Sequence, residues 1–123
     1  MRDPAILEQT LSAGERRVLR RFADKLRERF GEGVEVVVFG SRARGDCHAE
    51  SDIDVMVVLR SAPEAARQAV AEVWDLAVDA MREGERFEYA PIQPLVLSAT
   101  ECDELVQRER RLALDVQAEG IRL

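Results

Sequence analysis

Two acids one residue apart, Asp52 and Asp54, stand at the head of an apolar run, Ile53 to Leu59. The run is rich in β-branched residues and reads as a strand. Side chains alternate along a strand, so the two acids share one face, about 7 Å apart at the backbone for a rise of about 3.3 Å per residue. Asp54 lies inside a run otherwise suited to burial, and burying an uncompensated carboxylate is costly. Carboxylates converging to about 4 Å repel by roughly 4 kcal/mol at an effective dielectric near 20. Either one takes a proton or a cation sits between them. Hard divalent ions, Mg²⁺ above all, are held by such oxygen pairs when a substrate phosphate supplies further ligands.

A phosphate site lies close by in the sequence. A second apolar run, Val34 to Phe39, stops at Gly40-Ser41-Arg42-Ala43-Arg44-Gly45-Asp46, which reads as a strand followed by a tight turn and a short helical start. Gly40 and Gly45 let the backbone approach a ligand closely. Backbone N–H groups there, with Ser41, can hold phosphate oxygens. Arg42 and Arg44 flank this turn. Contact with a phosphate, an ion pair with Asp46 or Glu50, and an ion pair with Asp54 in place of a metal all remain open for them. A carboxylate pair facing a phosphate cradle is the logic of metal-assisted phosphoryl or nucleotidyl transfer. Ser41 as a nucleophile lacks support, because the only histidine, His48, falls in a polar loop and a nucleophile needs an oriented base.

Gly40-Ser41, ten residues, then Asp52-Ile53-Asp54 resembles the signature of the DNA polymerase β-like nucleotidyltransferase superfamily. The local wording, Phe39 to Gly45 and then Ser51-Asp52-Ile53-Asp54, resembles the minimal nucleotidyltransferases. The resemblance implies that Asp52 and Asp54 are catalytic and hold Mg²⁺, and that Gly40, Ser41 and Arg44 bind the phosphates of ATP or another nucleoside triphosphate. It implies transfer of a nucleoside monophosphate, AMP from ATP, to a hydroxyl. It also implies a small helical partner of the HEPN type, toward which the minimal nucleotidyltransferase acts as antitoxin. Many active members add a third carboxylate from a later strand. Here that strand offers Gln93, with Glu88 the nearest acid, and a glutamine can coordinate through oxygen but cannot act as a base at neutral pH. A rival reading is therefore a binding module that neutralises a partner by docking. Transfer to a small molecule such as an antibiotic ranks last, because the usual extra substrate domain is missing.

The elements that must position these residues follow the order helix, strand, turn, strand. Residues 1 to 11 read as a short lead-in. Ser12-Ala13-Gly14-Glu15 fits a capping box, after which Val18, Leu19, Phe22, Ala23, Leu26 and Phe30 repeat at helical spacing. Pro63 opens a second helix, closed by Gly84, with Val70, Val73, Trp74, Ala77 and Met81 as its buried stripe. Arg86 to Leu97 reads as a third strand, and Pro91 and Pro94 confine it to an edge or an interruption. Ser98 to Glu101 is another capping box, starting a third helix that Gly120 ends before a short tail. The expectation is an α+β fold, a three- or four-stranded mixed sheet with about three helices, in one domain over residues 1–123.

Composition fits that frame. The chain has 123 residues, 46% hydrophobic and 34% charged, as in ordinary globular proteins. No apolar run of membrane-spanning length and no apolar leader occurs, so a cytoplasmic protein is expected. Cys47 and Cys102 are distant single cysteines, expected as reduced thiols. A net charge of −6 argues against sequence-independent nucleic-acid binding, which rests on Lys and Arg. The basic residues crowd instead into the first helix, Arg16 to Arg29, as a solvated face or a docking surface for an acidic partner or RNA. A homo-oligomer through apolar helix surface is compatible with the sequence, which does not fix one.

Overall fold

The computed structural model describes residues 3–44, 52–83 and 88–123, with Ser41, Arg44, Leu112 and Ala113 described in backbone alone. The chain opens with a 3₁₀ turn, Pro4–Ile6, and a short helix α1, Leu7–Thr10. The expected lead-in is thus structured, because Leu7 and Leu11 are drawn into the core. Helix α2, Ala13–Phe30, begins with the expected capping box. The Ser12 Oγ accepts from the Glu15 N–H at 3.1 Å, and Glu15 Oε1 accepts from the Ser12 N–H at 2.9 Å.

Strand β1 (Glu35–Phe39), the one-turn helix α3 (Ser41–Arg44) and strand β2 (Ile53–Leu59) come next. β1 and β2 are antiparallel, with Phe39 opposite Asp54 and Val37 opposite Met56. The second helix of the sequence pattern is two, α4 (Pro63–Gln68) and α5 (Val70–Arg82). They part at Ala69, whose N–H lies within bonding distance of both Ala65 and Ala66 carbonyls, a 3₁₀-like tightening. Strand β3, Ile92–Ser98, runs parallel to β2 with Gln93 opposite Asp54. It forms one edge of the sheet, where Pro94 is tolerated. Ser98 and Glu101 cap α6 (Ala99–Arg108) as expected, but α7 (Arg110–Glu119) is separate, the backbone leaving helical geometry at Glu109.

The predicted tail is a correction. Ile121–Arg122 form strand β4, antiparallel to β1, and the Leu123 N–H donates to the Val36 carbonyl at 2.9 Å. An apolar β1 with one edge unpaired would be a liability, and burying Ile121 there covers it. The sheet order is β3-β2-β1-β4, which makes this a small α+β domain with a four-stranded mixed sheet.

Alternation along the strands divides the molecule. Val36, Val38, Ile53, Val55 and Val57 share a core with Phe22 and Leu26 of α2 and Val73 and Ala77 of α5. On the opposite face Val37, Met56 and Val58 meet Val116 of α7, with Cys102 and Leu105 of α6 beside them. The expected buried stripe of α5 holds only in part: Trp74 is 41% exposed and Val70 37% exposed. The reason is angular. Val73 and Ala77 take the centre of the buried line, and Trp74 sits about 100° around the helix from Val73.

The basic residues of α2 are largely spent inside the molecule. Arg17 pairs with Glu88 at 3.2 Å, Lys25 with Glu83 and Arg29 with Glu72, while Arg21 Nε donates to the Ala80 carbonyl at 2.8 Å. These pairs tie α2 to α5 and to the segment before β3. Among the described residues no helix is long and apolar enough to cross a membrane. Cys102 is a free, half-buried thiol that burial, with Asp103 and Glu35, pushes above its usual range. That disfavours the thiolate needed for reactivity or metal binding.

Candidate active site

The site begins where β1 ends. Gly40 has φ +77°, in the left-handed region that costs other residues roughly 1–2 kcal/mol. This bend reverses the chain into α3, where the Ala43 N–H returns to the Gly40 carbonyl at 3.1 Å. The same glycine leaves room for Asp54. A Cβ on Gly40 would stand 2.6 Å from Asp54 Oδ2, inside van der Waals contact, so the carboxylate occupies the space a side chain would need.

Asp54 is the second residue of β2 and Asp52 stands just before the strand, near enough for its charge to act on Asp54. The Ile53 N–H donates to the Pro91 carbonyl at 2.8 Å, which anchors the start of β2 between the acids. Asp52 is exposed and Asp54 half-buried. Burial pushes the Asp54 carboxyl above its ordinary range, and the neighbouring Asp52 charge adds to the shift. Both causes oppose ionisation. A carboxylate pair with these properties gains from a cation between its members.

The turn is pinned from beneath. Ala43 is fully buried, and Arg42 is 3% exposed, its guanidinium paired with Glu15 Oε2. Glu15 therefore uses one oxygen to cap α2 and the other to hold the turn. Asp46 and Glu50, the acids near Arg42 in sequence, lie outside the described residues with Gly45, Cys47, His48 and Ser51. The capping box made Glu15 visible in the sequence, but no local signal shows its long-range contact. Removing one partner of a buried ion pair costs about 3 kcal/mol. We expect Glu15→Ala to lower stability by that order in urea unfolding, and Glu15→Gln, which keeps an amide oxygen for the cap, to lower it less.

Of Ser41 and Arg44 the backbone alone is described, and it places both on α3 beside Gly40. Glu88 is drawn to α2, 3.2 Å from Arg17 and 3.8 Å from Arg21. Gln93 is the parallel-register partner of Asp54 on the same sheet face. Among the described residues no group of three or more His, Cys, Asp or Glu could hold a metal. The described donor set is two carboxylates and a neighbouring amide.

That set fits Mg²⁺. All its ligand atoms are hard oxygens, and a divalent ion with a substrate phosphate uses only one or two carboxylates. The Gly40 cradle keeps the Asp54 oxygen clear of a side chain. Neither the curated proteins nor the solved structures include a significant match to the chain. The family model for the nucleotidyltransferase domain matches residues 19–113. That span, more than half of the 123 residues, runs from α2 through the glycine turn and both aspartates into α7. The chain belongs to the nucleotidyltransferase domain family.

Proposed function

We propose that the protein is a metal-dependent nucleotidyltransferase that moves AMP from ATP to a hydroxyl acceptor. The observation that carries this reading is the Asp54 carboxylate set against Gly40, with burial and Asp52 both opposing its ionisation. Asp52 and Asp54 hold Mg²⁺, and Gly40, Ser41 and Arg44 bind the phosphates. When bound, the cation neutralises charge at the α-phosphate and the leaving pyrophosphate. Gly40 brings its backbone close to the phosphates, while Arg42 and Glu15 hold the turn in register with β2. Gln93 can orient an acceptor by hydrogen bonding but cannot take its proton.

The acceptor in this proposal is a hydroxyl on a small helical protein of the HEPN type, toward which the chain acts as antitoxin within the cytoplasm. The test uses ATP labelled at the α-phosphate, Mg²⁺ and such a partner, with gel detection of label. Label on the partner that vanishes with Asp54→Asn supports transfer. Neutralisation of the partner without label, unchanged by Asp54→Asn, overturns it.

A second reading, a docking module with weak nucleotide binding, is favoured by one specific observation: the position beside Asp54 is Gln93. Cation affinity rises with the charge of the ligand set. We expect Gln93→Asp to tighten Mn²⁺ binding about tenfold, or about 1.4 kcal/mol, by isothermal titration. An unchanged affinity would place residue 93 outside the ligand sphere.

A further inference from the structure

The end of the sheet away from the aspartates carries a cationic cleft. Arg60 and Ser61 directly follow β2. Arg60 lies six residues beyond Asp54, about 20 Å along an extended chain at a rise of about 3.3 Å per residue. A cleft of about 320 Å³ opens there between the end of α2, the end of β2 and the corner where α4 meets α5. Its polar groups are Arg29, Arg60, Ser61, Gln68 and Glu72, with Leu59 and Ala69 among its apolar walls.

Glu72 is the one acid of this lining, and Arg29 takes both of its oxygens through Nε and Nη2. The Arg29 guanidinium also stands 5.1 Å from the centre of the Phe30 ring. It is thus held in place, with no bond at Nη1 among the described residues. The Arg60 side chain makes no ion pair or hydrogen bond among the described residues, although Glu35 and Asp103 line the hollow on its other side. Its stem lies across Gly33, where a Cβ would stand 2.8 Å from Arg60 Cδ. The Ser61 Oγ is buried without a hydrogen-bond partner, which is destabilising for a hydroxyl. Rotation about χ1 to another staggered position is its route to a partner in the cleft. Two permanently charged guanidiniums against one carboxylate leave the cleft cationic, in a chain whose net charge is −6.

We infer that this cleft binds the phosphate group of a small phosphate monoester, at a site separate from the catalytic turn. Arginine forks match phosphate oxygens in geometry and charge. A monoester dianion presents three terminal oxygens to the Arg29 Nη1 group, the Arg60 fork, the Ser61 hydroxyl and the Gln68 amide. A carboxylate presents two and leaves donors unmet, and a neutral ligand leaves the Arg60 charge unanswered. Pockets for small ligands commonly span roughly 300–1,000 Å³. This one therefore admits the phosphate with a single ring or short chain against Leu59 and Ala69, and is too small for a nucleoside triphosphate. Binding makes and breaks no covalent bond.

The test titrates phenyl phosphate into the full isotope-labelled chain without nucleotide or metal, followed by NMR, with inorganic phosphate and phenylacetate as separate arms. Saturable shifts of the Arg29 and Arg60 Nε–H signals and of the Ser61 amide are expected. Phenyl phosphate should bind at least about tenfold tighter than phenylacetate. It should also bind about fivefold tighter than inorganic phosphate, which has no apolar body to bury. Arg60→Gln should weaken phenyl phosphate at least about tenfold. Ser61→Ala should weaken it about fivefold and at the same time raise the melting temperature of the free protein, because the orphaned hydroxyl is gone. A residue with a merely structural role would not move these two readouts in opposite directions. Absent shifts at Arg29 and Arg60, or shifts confined to the Gly40 and Ser41 amides, would overturn the site. So would equal affinity for either of the other two anions, or wild-type affinity in either variant.

Discussion

We expect Asp54→Asn to lower nucleotidyl transfer by about a thousandfold or more and at the same time to make the ligand-free protein more stable at neutral pH. The first effect follows from losing one charged oxygen of the proposed cation site, where metal stabilisation of transition-state charge would be worth several kcal/mol, at about 1.4 kcal/mol per tenfold. The second follows from the raised pKa of Asp54. A carboxyl whose folded pKa lies above its unfolded value favours folding while protonated and loses that contribution as pH rises through the folded value. Above that window the ionised Asp54 is a burden that a neutral asparagine of the same shape does not carry. The variant should therefore melt above the wild type at pH 8, with the difference shrinking as pH falls toward 4. Mg²⁺ with ATP should raise the melting temperature of the wild type and leave the variant nearly unmoved, because only a bound ligand shifts unfolding. Thermal scans with and without MgATP at the two pH values check all three statements.

Gly40→Ala should be nearly as damaging, for two separable reasons. The backbone at φ +77° costs an alanine roughly 1–2 kcal/mol. The new Cβ would also fall 2.6 Å from Asp54 Oδ2, so the carboxylate or the strand must shift. Urea unfolding should show a loss of roughly 2–3 kcal/mol, and titration should show MgATP affinity reduced beyond measurement. A double-mutant cycle separates the two causes. In an Asp54→Ala background the clash is gone, and Gly40→Ala should cost only the backbone part. Strict additivity would show that the two residues do not compete for the same space.

The sequence makes the local parts of this account legible and leaves the long-range parts dark. The capping boxes at Ser12 and Ser98 involve groups three residues apart, and both form as read. Asp54 shares a sheet face with Met56 and Val58 because side chains alternate along β2, a period visible in the sequence. Pro94 marks β3 as an edge because a missing N–H is visible in the residue itself. The pair between Arg42 and Glu15 is another matter: it joins residues far apart in sequence and depends on where α2 packs. Glu88 is an acid of the right region, but Arg17 and Arg21 claim it from across the molecule. Trp74 looks apolar at helical spacing, and only the packing of Val73 and Ala77 turns it outward. The tail at Ile121 carries too few residues for a periodic signal, and it becomes a strand because β1 has an edge to cover.

The central claim is that Asp52 and Asp54 jointly hold one divalent cation with a nucleoside triphosphate. Titration of Mn²⁺ in the presence of a non-hydrolysable ATP analogue, read by electron paramagnetic resonance, measures this directly. We expect one tight site in the wild type, weakened at least tenfold in Asp52→Asn and in Asp54→Asn alike. Wild-type affinity in both variants would contradict the account.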